Sequence, residues 1–296
     1  MRETANGRSG LYNSNQMLER ELETARSLAL EASEMILGHY ADEIVAEEKL
    51  GADNKYEPVT AADREASRLI VDGLRKAFPN DAILSEEEIG TGLEWTRAQR
   101  TWIIDPIDGT AGFIKHEDDF AIQIGLAEQG KPMVGIVHLP AFGVTYEAAA
   151  GQGAFAVNDG VRTRLAVRKV SEPRQMRIAL SRNHFKPRMN VLLDHFHFAS
   201  HVYRGSVGLK MGLIAAGECD VYIHLSDRTK LWDTCAPQII LEEAGGVLTD
   251  IFGDALVYDT PELSNLNGIV ACGSEGHSGI IEGLQPFLES HGRTRK

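Results

Sequence analysis

Between Asn15 and Tyr40 the apolar residues Leu18, Leu22, Ala25, Ala29, Ala32 and Ile36 recur at intervals of three and four. That spacing predicts one helix with a single buried face. The next segment, Ala46 to Glu57, is charged, has no stripe, and reads as a loop. Thr60 opens a second helix that turns Ile70 and Leu74 inward and ends near Phe78-Pro79-Asn80. Ala82 to Ser85 reads as a short strand, and Trp102 to Ile104 as a buried one made of strand formers. Pro106 has no N–H and is expected to stop that ladder. Four apolar stretches follow, Phe120–Leu126, Val134–His138, Val144–Ala148 and Ala154–Val157. Turns rich in Gly, Pro, Asn and Asp separate them, so they predict an antiparallel meander.

From about Leu165 the pattern changes again, to strands alternating with helices. Strands are expected at Arg177–Leu180, Asp220–Leu225, Val247–Ile251 and Ile269–Cys272. Helices are expected from Gly205 through Ala216, from Asp233 to Gly245-Gly246, and at the C-terminus. The chain therefore divides into a polar, disordered tail (1–14), an N-terminal α+β subdomain (15–165) and a C-terminal α/β subdomain (166–296). Gly151-x-Gly153-x-x-Ala156 half matches a dinucleotide fingerprint, but strand-like sequence follows it and it is set aside.

Composition narrows the partners. The 296 residues suffice for two layered subdomains with a full core, and no apolar run reaches membrane-spanning length. Met1 to Gly10 has no apolar run of the signal-peptide kind, and Cys219, Cys235 and Cys272 form no CxxC. Both features suit a reducing cytoplasm. A net charge of −13 argues against nucleic-acid polymers and anionic membranes. An anionic small molecule would have to be drawn in locally, by cations and a few basic side chains.

The candidate chemistry is acidic. Asp105 and Asp108 lie three apart at the mouth of a strand, with Gly109 allowing a bend, and both carboxylates can reach a hard cation. The Ile107 carbonyl between them could be a third oxygen ligand. Taken alone, the pair reads equally as an Asp-Pro, Asp-Gly turn. Asp63 taken alone is an acid in the first turn of a helix capped by Thr60. Glu86-Glu87-Glu88 taken alone is a solvated acidic run. These motifs stand with a fourth, Trp232-Asp233-Thr234-Cys235-Ala236-Pro237 running into Leu241-Glu242-Glu243-Ala244-Gly245-Gly246.

Together the four motifs resemble the magnesium-dependent, lithium-inhibited phosphatases of the inositol monophosphatase superfamily, over about Leu18 to Leu288. The resemblance implies a layered αβαβα sandwich of the inositol monophosphatase and fructose-1,6-bisphosphatase type, as a monomer or homodimer. It implies two to three Mg2+ per site. Glu86, Asp105 and the Ile107 carbonyl would hold the first, and Asp105, Asp108 and Asp233 the second. A weaker third would use Glu86 and Asp63 through water. Asp63 and Thr110 would orient and deprotonate the attacking water, while Gly109 and Thr110 present N–H groups to the phosphate. Transfer would run in line, with no covalent intermediate.

Within the superfamily three segments look most like the 3′(2′),5′-bisphosphate nucleotidases: Lys230–Pro237, Ser181-Arg182-Asn183-His184 and Gly205–Lys210. In those relatives the matching residues contact the nucleotide, which carries over to Ser181, His184, Ser206 and Lys210, with Asp233 also facing substrate. The expected substrate is adenosine 3′,5′-bisphosphate or a related adenine nucleotide. Inositol, sugar or histidinol phosphates are the alternative, and a non-catalytic metal or nucleotide sensor is a remote one. Inositol monophosphatases place a glutamate seven residues before the last metal aspartate. Ser226 stands there in this chain, with Asp227 beside it, and a one-residue shift of the loop would bring Asp227 in.

Overall fold

The stripe of Leu18, Leu22, Ala25, Ala29, Ala32 and Ile36 is buried along helix α1 (Ser14–Ala41). The structure, a computed structural model, describes residues 14–51, 55–88, 94–182 and 187–296; the tail expected to be disordered falls almost wholly outside them. Next come two strands, β1 (Ala46–Leu50) and β2 (Tyr56–Thr60), paired antiparallel from Ala46↔Thr60 to Leu50↔Tyr56. This corrects the loop expected there. Most of the hairpin's side chains stay in solvent, so no hydrophobic alternation marked it, and backbone pairing alone makes the strands.

Helix α2 (Ala61–Ala77) begins in a reciprocal cap, in which Thr60 accepts from the Asp63 N–H and the Asp63 carboxylate accepts from the Thr60 N–H. Seven strands follow: β3 (Ala82–Ser85), β4 (Arg100–Asp108), β5 (Ala121–Glu128), β6 (Lys131–Leu139), β7 (Val144–Ala149), β8 (Gly153–Asn158) and β9 (Val161–Arg164). They form one sheet in chain order, parallel at β3–β4 and antiparallel elsewhere. A one-turn helix, α3 (Thr110–Phe113), sits between β4 and β5.

The remaining strands are β10 (Arg177–Ser181), β11 (Ser200–Arg204), β12 (Val221–His224), β13 (Gly246–Thr249) and β14 (Ile269–Gly273). Their sheet order is β11-β10-β12-β14-β13, and β10 is parallel to both neighbours. Four helices accompany them: α4 (Pro187–Phe196), α5 (Val207–Ala215), α6 (Leu231–Glu243) and α7 (Ser274–Ser290).

Three apolar clusters stack these elements into the αβαβα order. Ile70 and Leu74 of α2 pack with Trp102, Ile104 and Ile124 on the outer face of the seven-stranded sheet. Ile214 of α5 and Ile240 of α6 fill the middle, between Val137 on one sheet and Tyr222 and Ala271 on the other. Leu192 of α4 and Leu284 of α7 cover the far face, over Ile178 and Val270. The middle layer fixes the height of α6. A Cβ at Gly135 would lie 2.3 Å from the Ala236 carbonyl, and one at Gly125 would lie 2.9 Å from the Ala236 nitrogen. Only glycine lets the helix press this closely on β5 and β6.

His138 of β6 joins the outer layer to the sheet. Its ring nitrogens lie 3.0 Å from Ser33 Oγ on α1 and 2.8 Å from Thr145 Oγ1 on β7. Burial pushes its pKa down to about 4. An unfolded histidine titrates near 6.5, so between about pH 6.5 and 4 the unfolded chain binds a proton that the folded one refuses. The contribution is complete above pH 6.5 and is lost as pH falls toward 4, a span worth roughly 3 kcal/mol. In urea titrations at pH 7.5 and 4.5, His138→Gln should lose less stability than the wild type; equal losses would place the acid sensitivity elsewhere.

Candidate active site

Residues three apart on a regular strand point to opposite faces. Asp105 and Asp108 escape this because the β4–β5 register slips between them: Asp105 pairs with Gln123 and Asp108 with Ala121. Pro106 and Ile107 thus face the single residue Ile122, a bulge that rotates the second carboxylate to the same side as the first. Pro106 does not end the strand, as its missing N–H had suggested. It sits where the irregular ladder asks for no donor, and β4 continues to Asp108.

The third carboxylate arrives from α6. Asp233 is the third residue of that helix and accepts from the Lys230 N–H at 2.5 Å. The spacing Lys230-x-x-Asp233 repeats Thr60-x-x-Asp63, a signal that would have placed the helix start at Leu231. Asp105, Asp108 and Asp233 offer oxygens within 4.8 Å of one another. Glu86, in a turn of 3-10 helix after β3, faces the same cavity of about 240 Å3.

The electrostatics of this cluster are costly. Burial first, and then Glu86, Asp108 and Asp233, hold the Asp105 carboxyl well above the usual carboxylate range. Asp233 is raised likewise, by burial and then by Asp108. Asp108 is raised by burial but is the best supported of the three. It accepts from Gln123 Nε2 at 2.7 Å, Ser206 Oγ at 2.5 Å and the Gly208 N–H at 2.7 Å. Lys49 of the β1–β2 hairpin reaches the edge of the cluster, with Nζ 2.8 Å from Glu86 Oε1 and in contact with Glu87. Burial and then Glu86 push Glu87 up to about 7. An all-oxygen donor set with several buried negative charges matches what a small divalent cation of the magnesium kind requires.

Asp63 lies one link away. Its Oδ2 accepts from the Thr60 N–H at 2.8 Å and Thr60 Oγ1 at 2.6 Å, and its Oδ1 faces Thr110 Oγ1 at 3.0 Å. Burial raises its pKa above the ordinary value, and Glu86 adds to this against the lowering bonds from Thr60. Thr110 Oγ1 also lies 3.0 Å from the Ile107 carbonyl, so one hydroxyl proton serves two acceptors. Ile107, Gly109 and Thr110 line the cavity. Gly109 adopts φ +103°, which turns the chain into α3, and the first N–H groups of that turn have no partner inside it.

The residues expected to hold a nucleotide separate into three groups. Ser181 lines the cavity, 3.3 Å from the Tyr222 hydroxyl, which is itself 3.1 Å from His224 Nδ1. Ser206 is fully buried and is not among the lining residues. It donates to Asp108 and accepts from the Leu209 N–H at 2.9 Å, so it caps α5 and positions Asp108. Lys210 lines the cavity, but its ammonium donates to the carbonyls of Gly205 at 2.8 Å and Ser206 at 2.6 Å. Burial pushes it down to about 8 against the opposing pull of Asp108 and Asp233. His184 lies outside the described residues. Ser226 bonds to His224 Nε2 at 2.8 Å, and Asp227 turns away to Lys296 Nζ at 3.4 Å, so neither supplies a carboxylate to the cavity. Sequence reasoning missed Lys49, Gln123, Tyr222 and His224, which no local motif marks.

The model of the inositol monophosphatase family matches residues 17–287. The chain is 37% identical over 216 residues to the 3′(2′),5′-bisphosphate nucleotidase CysQ of Escherichia coli K12, covering 73% of this chain and 84% of that protein. It is 32% identical to a Thermotoga maritima fructose-1,6-bisphosphatase/inositol-1-monophosphatase, covering 79% and 85%. Among solved structures, a Thermotoga maritima IMPase superposes with a TM-score of 0.76 at 27% identity, over 93% of this chain and 99% of that one.

Proposed function

The chain belongs to the inositol monophosphatase family, and from that premise we propose that it is a magnesium-dependent phosphomonoesterase that removes the 3′-phosphate of adenosine 3′,5′-bisphosphate or a closely related nucleotide. One observation carries the catalytic reading: Asp105, Asp108 and Asp233 converge within 4.8 Å in a cavity that also holds Glu86 and Thr110. Two features support the nucleotide over inositol. The chain is 37% identical to a bisphosphate nucleotidase, and the Ser226–Asp227 loop brings no acid to the cavity.

Glu86, Asp105 and the Ile107 carbonyl, and Asp105, Asp108 and Asp233, would each hold one ion, with Glu86 and Asp63 sharing a weaker third. When bound, such ions lower the pKa of a water and offset charge on the leaving oxygen. The remaining work falls to the chain itself. The N–H groups of Gly109 and Thr110 orient the phosphate, and Ser181 contacts the nucleoside, as His184 is proposed to do. Thr110 and Asp63 form a path that takes a proton from the attacking water. Ser206 and Gln123 hold Asp108 in place, and Lys210 stiffens the loop before α5 while offsetting buried charge.

A phosphate-release panel in magnesium tests the assignment, using adenosine 3′,5′-bisphosphate, inositol 1-phosphate, fructose 1,6-bisphosphate and histidinol phosphate. The bisphosphate nucleotide should give the highest kcat/KM, and a chelator should abolish release. Faster turnover of inositol 1-phosphate would overturn the nucleotide assignment while leaving the phosphatase.

A further inference from the structure

The deep cations of the cavity are committed to the protein. Lys210 is bound by backbone carbonyls, and Lys230 Nζ donates to Ser264 Oγ at 3.0 Å. Arg228, in the loop between β12 and α6, is different. It lines the same cavity, its side chain is exposed, and among the described residues its guanidinium has no hydrogen bond or ion pair. The obvious partner, its neighbour Asp227, is taken by Lys296. Although partial burial alone would raise the Asp227 carboxyl, Lys296 and, more weakly, Lys55 hold it below the usual range. Lys55 itself lines the cavity from the hairpin side. The tail contact therefore leaves an unquenched guanidinium at the rim of a cavity whose floor is acidic. A planar fork with all its donors open is suited to a phosphate in a two-pronged grip. The floor cannot take a second phosphate, because its carboxylates would repel one.

We propose that Arg228 grips the phosphate that is not cleaved, and so sets the preference for small molecules carrying two phosphates over those carrying one. The inference rests on the phosphomonoesterase reading above. It gives the two ends of the cavity separate tasks, hydrolysis at the carboxylates and selection at the rim. It also explains how a chain of net charge −13 attracts a highly charged anion, through a local cation rather than an overall field.

The test compares kcat/KM for adenosine 3′,5′-bisphosphate and adenosine 3′-monophosphate in the full chain with magnesium, for the wild type, Arg228→Gln and Arg228→Lys. The preference for the bisphosphate should fall about 20-fold in Arg228→Gln, mainly through KM, as expected for a lost charge-assisted contact. Arg228→Lys should recover part of it. An unchanged preference in Arg228→Gln, with an active wild type, overturns the inference alone. A wild type that releases phosphate from neither ester overturns the enzyme reading and this inference with it.

Discussion

Asp105→Asn should lower kcat for phosphate release by roughly 10^3-fold or more, while raising the Tm of the metal-free protein. The two effects share one cause. Asp105 is buried, its carboxyl is raised by burial and then by Glu86, Asp108 and Asp233, and its one hydrogen bond among the described residues is from the Ile107 N–H at 3.0 Å. Asparagine keeps an oxygen for that N–H and removes the charge that the fold has to crowd against its neighbours. The bare variant is therefore relieved of repulsion. The same change deletes the carboxylate shared between the two proposed ion positions, so added magnesium should raise the Tm of the wild type more than that of the variant. A variant that is both slow and less stable without metal would mean that Asp105 serves packing rather than charge.

The same site shows what a sequence can and cannot disclose. Helices α1 and α2 were legible because each buries one face, which writes a period into the sequence, and the β5–β8 meander because its strands are apolar runs, β5 to β7 buried on both faces, set between turn residues. The β1–β2 hairpin was not legible, because it buries neither face for most of its length, yet it delivers Lys49 to Glu86 and Lys55 to the cavity. The acids were found by motif, but the reason Asp105 and Asp108 share a face is the bulge opposite Ile122, and register belongs to the pair of strands rather than to either one. For Ser206 and Lys210 the motif located the residues without their orientation. Their polar atoms point to Asp108 and to the carbonyls of their own loop, which depends on how α5 docks between the sheets. Ser181, Thr110 and Lys210 line the cavity, and Ser206 is not among its lining residues.

Thr110→Val should cost roughly 10^2- to 10^4-fold in kcat, the range for a lost general base pathway, with little change in KM. Valine preserves the shape and removes only the hydroxyl. That hydroxyl lies 3.0 Å from both Asp63 Oδ1 and the Ile107 carbonyl, while Thr60 fixes the other oxygen of Asp63. With its proton directed at Asp63, the Thr110 oxygen keeps a lone pair for a proton from water, and the raised pKa of Asp63 makes it a better final acceptor than an exposed aspartate. Folding should suffer little, about 1 kcal/mol for two acceptors that lose one shared donor. The decisive comparison is with Asp63→Asn and with the double variant. If the two residues pass one proton along one path, removing both should be hardly worse than removing the more damaging one. If the two losses multiply, they act independently, and the water must surrender its proton by another route.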